Sequence, residues 1–106
     1  MGPLVREALP TLAAELEGLL REDGEPNLAS QVSALHMVER CRCSDSFCAM
    51  FYTAPPPAGA WGKPFRNVAL LPAVGDLILD VLDERIVAVE VLDNPQVREV
   101  VRRLWP

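Results

Sequence analysis

Three cysteines stand close together in the run Cys41-Arg42-Cys43-Ser44-Asp45-Ser46-Phe47-Cys48, and the chain has no others. Thiolates are the preferred ligands of soft metal ions and the nucleophiles of redox chemistry. On a strand, Cys41 and Cys43 share one face, and Cys48, just past a turn, comes opposite Cys43 on the neighbouring strand. Such a trio could hold zinc. A structural zinc site, however, takes four ligands, and the usual spacing of two ligand pairs is absent. His36, the only histidine, lies an odd number of residues from Cys41 and so on the other face, while Asp45 would be a weak fourth ligand. The C-x-C spacing is not the C-x-x-C of thioredoxin-like proteins, and no helix start follows to depress a thiol pKa. A Cys43–Cys48 disulfide is open on steric grounds if the two residues are directly opposed. Free cysteine is among the most buried residue types, so the plainest expectation is that Cys41, and with it Cys48, is a small buried side chain, with no metal and no cofactor. Zinc or thiol redox chemistry at Cys41, Cys43 and Cys48 is the alternative.

The carboxylates offer less. Asp76, Asp80 and Glu90 share the outer face of a hairpin near the C-terminus, where paired acids can do acid–base work or bind a cation. Solvated acids on a polar strand face are commoner. Arg40 and Arg42 are expected on the same outer face, forming either cross-strand ion pairs or a charge-complementary partner surface. Parity puts Glu39 on the buried face, unless a bulge re-aims it; if buried it needs a partner such as Arg66. There is no glycine-rich phosphate loop, no G-x-S-x-G elbow and no histidine-based triad. No catalytic residue is assigned, and the chain reads as a non-enzyme.

The elements that position these residues follow from periodicity. Leu4, Val5, Ala8, Leu9, Leu12, Ala13, Leu16, Leu19 and Leu20 recur at three and four, which predicts a helix that either kinks at Pro10 or begins there. Gly24 ends it. A short helical turn from an Asn27 cap to Val32 follows. From Leu35 to Cys43 the period becomes two, predicting a strand. Ser44-Asp45-Ser46 is its turn, and Phe47 to Ala54, apolar on both parities, is a central strand. Pro55 to Pro64 is a proline-rich surface loop carrying Trp61. Asn67 to Leu71 is a third strand. Asp76–Val81 and Ile86–Leu92 form a hairpin around Asp83-Glu84-Arg85, with Leu77, Leu79, Val81, Val87, Val89 and Val91 pointing inward. Asn94-Pro95 caps a final helix with Val97, Val100, Val101, Leu104 and Trp105 on one face.

These elements sum to an α+β domain over residues 1–106: a two-layer fold, with an antiparallel sheet of about five strands and the N- and C-terminal helices packed on one face. A chain of 106 residues, half of them hydrophobic, has room for one core and needs no disulfide to sustain it. The net charge of -5 argues against nucleic acid and against an anionic membrane as partners. Charge and proline near the N-terminus leave no seven-residue apolar run, so no targeting segment is expected, and the odd cysteine count favours a reducing cytoplasm.

Two stretches are similar to known sequences. Arg40 to Cys48, followed by Phe51-Tyr52-Thr53, resembles a segment of small uncharacterised bacterial proteins, which carry glycine in place of Ser44. Gly75 to Val81 with Ile86 to Leu92 is similar to the closing hairpin of a bacterial domain-of-unknown-function family. That family's pattern is an acidic turn followed by I-V-G-I-E-I, with Ala88 here in place of the glycine. The resemblance implies a bacterial source and a shared architecture, and no activity. The functional expectation rests instead on the apolar outer face. The helices can cover only one side of the sheet, leaving Met50, Tyr52, Ile78, Ile86 and Ala88 as an interface. A non-enzymatic interaction module, self-associating as a homodimer or joined to another small protein, is the leading reading. A small-molecule or peptide binder using Trp61 and the proline-rich loop as a lid is a further alternative.

Overall fold

The computed structural model describes residues 2–106, and Met1 lies outside them. The leucine-rich stripe forms α1 (Val5–Ala8) and α2 (Pro10–Glu22). Pro10 cannot donate to the preceding turn, so the stripe breaks at Leu9 (φ −135°, ψ 64°), and α2 starts with the proline in its first turn. The break does not disturb the apolar face: Val5, Leu9, Leu12, Ala13, Leu16 and Leu20 all enter the core. Gly24 ends the run with φ +74°. Helix α3 (Pro26–Gln31) begins one residue before the expected Asn27 cap, because Pro26 takes the first helical position and Glu25 precedes it. A single tight turn, Val32–Ala34, leads into the sheet.

The sheet has five antiparallel strands: β1 (Glu39–Arg40), β2 (Phe51–Tyr52), β3 (Phe65–Leu70), β4 (Asp76–Leu82) and β5 (Arg85–Leu92), in the order β1-β2-β5-β4-β3. The strand β2 is internal, as its two apolar parities imply. Both β1 and β2 are far shorter than the alternation from Leu35 to Cys43 and from Phe47 to Ala54 predicts. The alternation of the first strand is interrupted at Val38. Its amide donates to the Tyr52 carbonyl at 2.8 Å, although Tyr52 is in register with Glu39, so two residues of one strand address one of the next. That is the signature of a bulge, and it reverses the parity beyond it. Met37 and Arg40 therefore both belong to the helix side, while Glu39 turns to the outer face beside Tyr52. Arg40 was expected on the outer face and is instead on the inner one.

A second bulge lies between β4 and β5. Asp80 pairs with Ala88 but Val81 with Ile86, which leaves Val87 unmatched. Ile86 was expected to face outward; the bulge swings it beside Val81, and it is buried in the core. Val87, expected inward, is buried outside that core cluster. The register then defines two rows across the sheet. Arg40, Phe51, Val89, Leu79 and Val68 line the helix side, and Glu39, Tyr52, Ala88, Asp80 and Asn67 line the outer side.

The hairpin turn is held in an uncommon way. Asp83 (φ 51°) and Glu84 (φ 59°) both occupy the left-handed region, the geometry of a two-residue hairpin turn that usually selects asparagine and glycine. Here neighbours support it. The Asp83 amide donates to the Pro64 carbonyl at 2.8 Å, Gln31 Nε2 donates to the Glu84 carbonyl at 2.7 Å, and Arg66 grips the Glu84 carboxylate. Arg66 also makes a two-pronged contact with Glu25, joining α3 to the sheet. The final helix, α4 (Pro95–Leu104), forms as the sequence predicts. Asn94 Oδ1 accepts from the Val97 amide at 3.2 Å, and Val97 and Val101 close the core.

Candidate thiol site and its surroundings

The antiparallel register of β1 and β2, continued toward the turn, sets Cys41 across from Met50 and Cys43 across from Cys48. The Cys41 amide donates to the Met50 carbonyl at 2.9 Å, so the first of these pairings is made. The Cys48 amide donates to the Asp45 carbonyl at 3.3 Å and closes the turn. Cys48 also bridges to Leu92 of β5, which pins the far side of the hairpin to the sheet. Cys41 follows Glu39 to the outer face through the bulge. The outcome is one cluster in which the Sγ atoms of Cys41, Cys43 and Cys48 all lie within 4.8 Å of one another. All three are free thiols; Cys48 is buried, and Cys41 and Cys43 are half-buried.

The three thiols are not equivalent. The Cys43 thiol is held below its ordinary pKa, first because its thiolate accepts a hydrogen bond from Cys48 and next because it accepts one from the Asp45 backbone amide. Burial pushes the Cys48 thiol up to about 12, and donation to Cys43 adds to the rise. Of the three thiols, Cys43 is the one whose ionised form its neighbours favour. His36 takes no part, since its Nδ1 donates to the Gly2 carbonyl at 2.9 Å.

The acids and arginines separate. Asp80 and Glu90 come together as diagonal neighbours on the outer face, where Ile78 is the register partner of Glu90 and Ala88 that of Asp80. Asp80 is only 5% exposed, and Asn67 Nδ2 donates to its Oδ1 at 2.7 Å. The Glu90 carboxyl is raised to about 7 by its hydrogen bond to Asp80, by burial and by the Asp80 charge, in that order. Asp76 is exposed at the strand start, and the groups that shift Glu90 do not include it. Arg40 and Arg42 do not meet these acids. Arg40 Nε donates to the Trp105 carbonyl at 2.7 Å and its Nη1 to the Cys41 carbonyl at 3.1 Å, which ties the hairpin to the C-terminal helix. Burial and then the charges of Arg102 and Arg42 lower the Arg40 pKa, so three guanidinium groups gather there.

Of the expected interface residues, Met50, Tyr52 and Ile78 are half-buried on the outer face, and Ala88 is fully buried there. Trp61 lies against Tyr52 with ring centroids 6.4 Å apart. The loop that carries Trp61 must pass β5 and β4 to reach β3, and it folds back on the sheet as it does so. Sequence reasoning missed the Arg66–Glu25–Glu84 network and the arginines of α4. The first joins residues far apart in the chain, and the second reads as an ordinary solvated helix face.

No protein-family model, curated protein or solved structure matches this chain. Among the described residues, no helix is long and apolar enough to cross a membrane.

Proposed function

We propose that this domain is a small non-enzymatic binding protein that holds a thiophilic metal ion through Cys41, Cys43 and Cys48. The observation that carries the reading is the convergence of three sulfur atoms from two chain segments, all within 4.8 Å. A tetrahedral zinc with Zn–S bonds of about 2.3 Å places its sulfurs about 3.8 Å apart, well inside that bound. Soft thiolate donors suit zinc or monovalent copper and disfavour magnesium or calcium. Three protein ligands leave one position open, the arrangement of a site that exchanges or presents its ion rather than one that only staples a fold. Self-association has weaker support: Ile86 is in the core and Ala88 is covered, while the exposed large apolar side chains, Phe47, Phe65, Leu71, Val74 and Leu104, are scattered.

The reading is tested with protein purified under reducing conditions, titrated separately with zinc(II) and copper(I), and counted by native mass spectrometry and thiol titration. One ion per chain with all three thiols protected is expected, with Cys43→Ser losing most of the affinity. Three thiols that react equally fast with and without metal would remove the proposal. A Cys43–Cys48 disulfide forming under the same handling would favour the redox reading instead.

A further inference from the structure

On the helix side of the cysteine hairpin, Ser46 and Phe47 face α4 across a groove of about 890 Å³ whose other wall carries Arg98 and Arg102. The Arg98 Nε atom is buried, no acceptor among the described residues engages that nitrogen, and Arg98 is one of the residues that line the groove. Neither Arg98, Arg102 nor Arg42 forms a salt bridge with a carboxylate among the described residues; of the α4 arginines only Arg103 does, at 3.8 Å to Glu99. In a chain of net charge -5 this is a local reversal of sign. Phe47 at the groove's edge is 46% exposed, an aromatic beside arginines, the pairing that anchors protein interfaces.

We infer that this groove docks an extended acidic segment of a partner protein, its carboxylates meeting Arg98 and Arg102 and an apolar side chain resting on Phe47. Spacing favours this occupant. Arg98 and Arg102 are one turn apart, about 6 Å along the helix axis. Acidic side chains at alternate positions of an extended strand repeat every 6 to 7 Å or so. A nucleic acid fits less well, because Asp93 and Glu99 interrupt the positive surface and would face its continuous phosphates. The groove and the thiols lie on opposite sides of the hairpin, so this inference does not rest on the metal reading.

The probe is a fluorescently labelled eight-residue peptide alternating glutamate and valine, followed by anisotropy, with the glutamine–valine and lysine–valine peptides as controls. The acidic peptide is expected to bind roughly tenfold or more tightly than the neutral one, to weaken as ionic strength rises, and to lose binding in the Arg98→Gln, Arg102→Gln double variant. Equal binding of the acidic and neutral peptides would overturn the inference, as would full binding by the double variant. The peptide comparison on the unaltered protein decides the matter even if the double variant folds poorly. A dimer that the double variant abolishes would replace the outside partner with a second copy. A single-stranded oligonucleotide that outcompetes the acidic peptide would replace it with nucleic acid.

Discussion

Replacing Glu90 with glutamine is expected to stabilise the protein at pH 8 while leaving it almost unchanged near pH 4.5. Glu90 is half-buried on the outer face against Asp80, which is itself nearly inaccessible and bonded to Asn67. The folded state holds the Glu90 proton to about pH 7, against an ordinary value of 4.5. A folded-state pKa above the unfolded one means that the native protein binds the extra proton between these values. Stability is then highest below about pH 4.5 as far as this group is concerned, falls as pH rises toward 7, and levels off above it. The full difference is on the order of 3 kcal/mol, and partial exposure trims it to about 2 kcal/mol. Glu25 and Glu84 work in the opposite sense. Arg66 holds both below the ordinary carboxylate range, so their contribution is present above about pH 4.5 and lost below it.

The two effects therefore occupy different windows, and the Glu90 effect can be read alone between pH 5 and 8. Urea unfolding followed by far-UV circular dichroism, under reducing conditions at several pH values in that range, gives the stability curve of each protein. The carboxamide of Glu90→Gln keeps a hydrogen-bond donor toward Asp80 and cannot ionise. Subtracting the two curves removes the titrating groups that do not interact with Glu90, which leaves the Asp80–Glu90 pair as the source of the difference. The difference should be about 0.5 kcal/mol at pH 5 and reach about 2 kcal/mol in favour of the variant at pH 8. A wild-type curve that is flat or rising from pH 5 to 8, or a variant less stable at pH 8, would refute the placement of this proton.

Other substitutions test the frame. Gly75→Ala should destabilise by about 2 kcal/mol or more, since φ is +68° and an added Cβ would sit 2.0 Å from the Leu92 carbonyl oxygen; thermal unfolding reads it directly. Asn94→Ala removes the acceptor for the Val97 amide and should cost about 1 kcal/mol, without abolishing α4 at 25 °C by circular dichroism. Arg66→Met should lower the unfolding midpoint at pH 7, because it frees Glu25 and loosens the left-handed Asp83-Glu84 turn. That deficit should shrink with added salt and vanish in acid, where both carboxylates are protonated.

Much of this architecture is legible in the chain because its strongest signals are local. The Asn94-Pro95 cap, the stripe of α2, the β4–β5 hairpin and the loop after Thr53 each follow from residues within a few positions of one another. The five-strand sheet with helices on one side then follows from the need to bury those stripes. Arg66 could not be assigned in the same way, since its partners are 41 and 18 positions away and nothing near it marks them. Nor could Asp80, whose burial depends on Asn67 from β3 and Glu90 from β5 arriving on either side of it.

The two bulges explain the remaining differences, and they bear on function. Alternation assumes that every residue of a strand has one partner. At Val38–Glu39 and at Val87 that assumption fails: the first failure exchanges the faces of the residues after it, and the second exchanges the face of Ile86 before it. Without the first bulge, Arg40 would share the outer face with Asp80 and Glu90, and Cys41 would point into the core, as periodicity alone implies. With it, Cys41 reaches the outer side beside Cys43 and Cys48, while Arg40 goes under to the Trp105 carbonyl and brings its charge toward Arg102. One extra residue in the first strand thus separates a face of thiols from a face of arginines. Deleting Val38 should undo both at once. A protein lacking it that still folds and still protects three thiols with one metal ion would show that the cluster does not depend on this geometry.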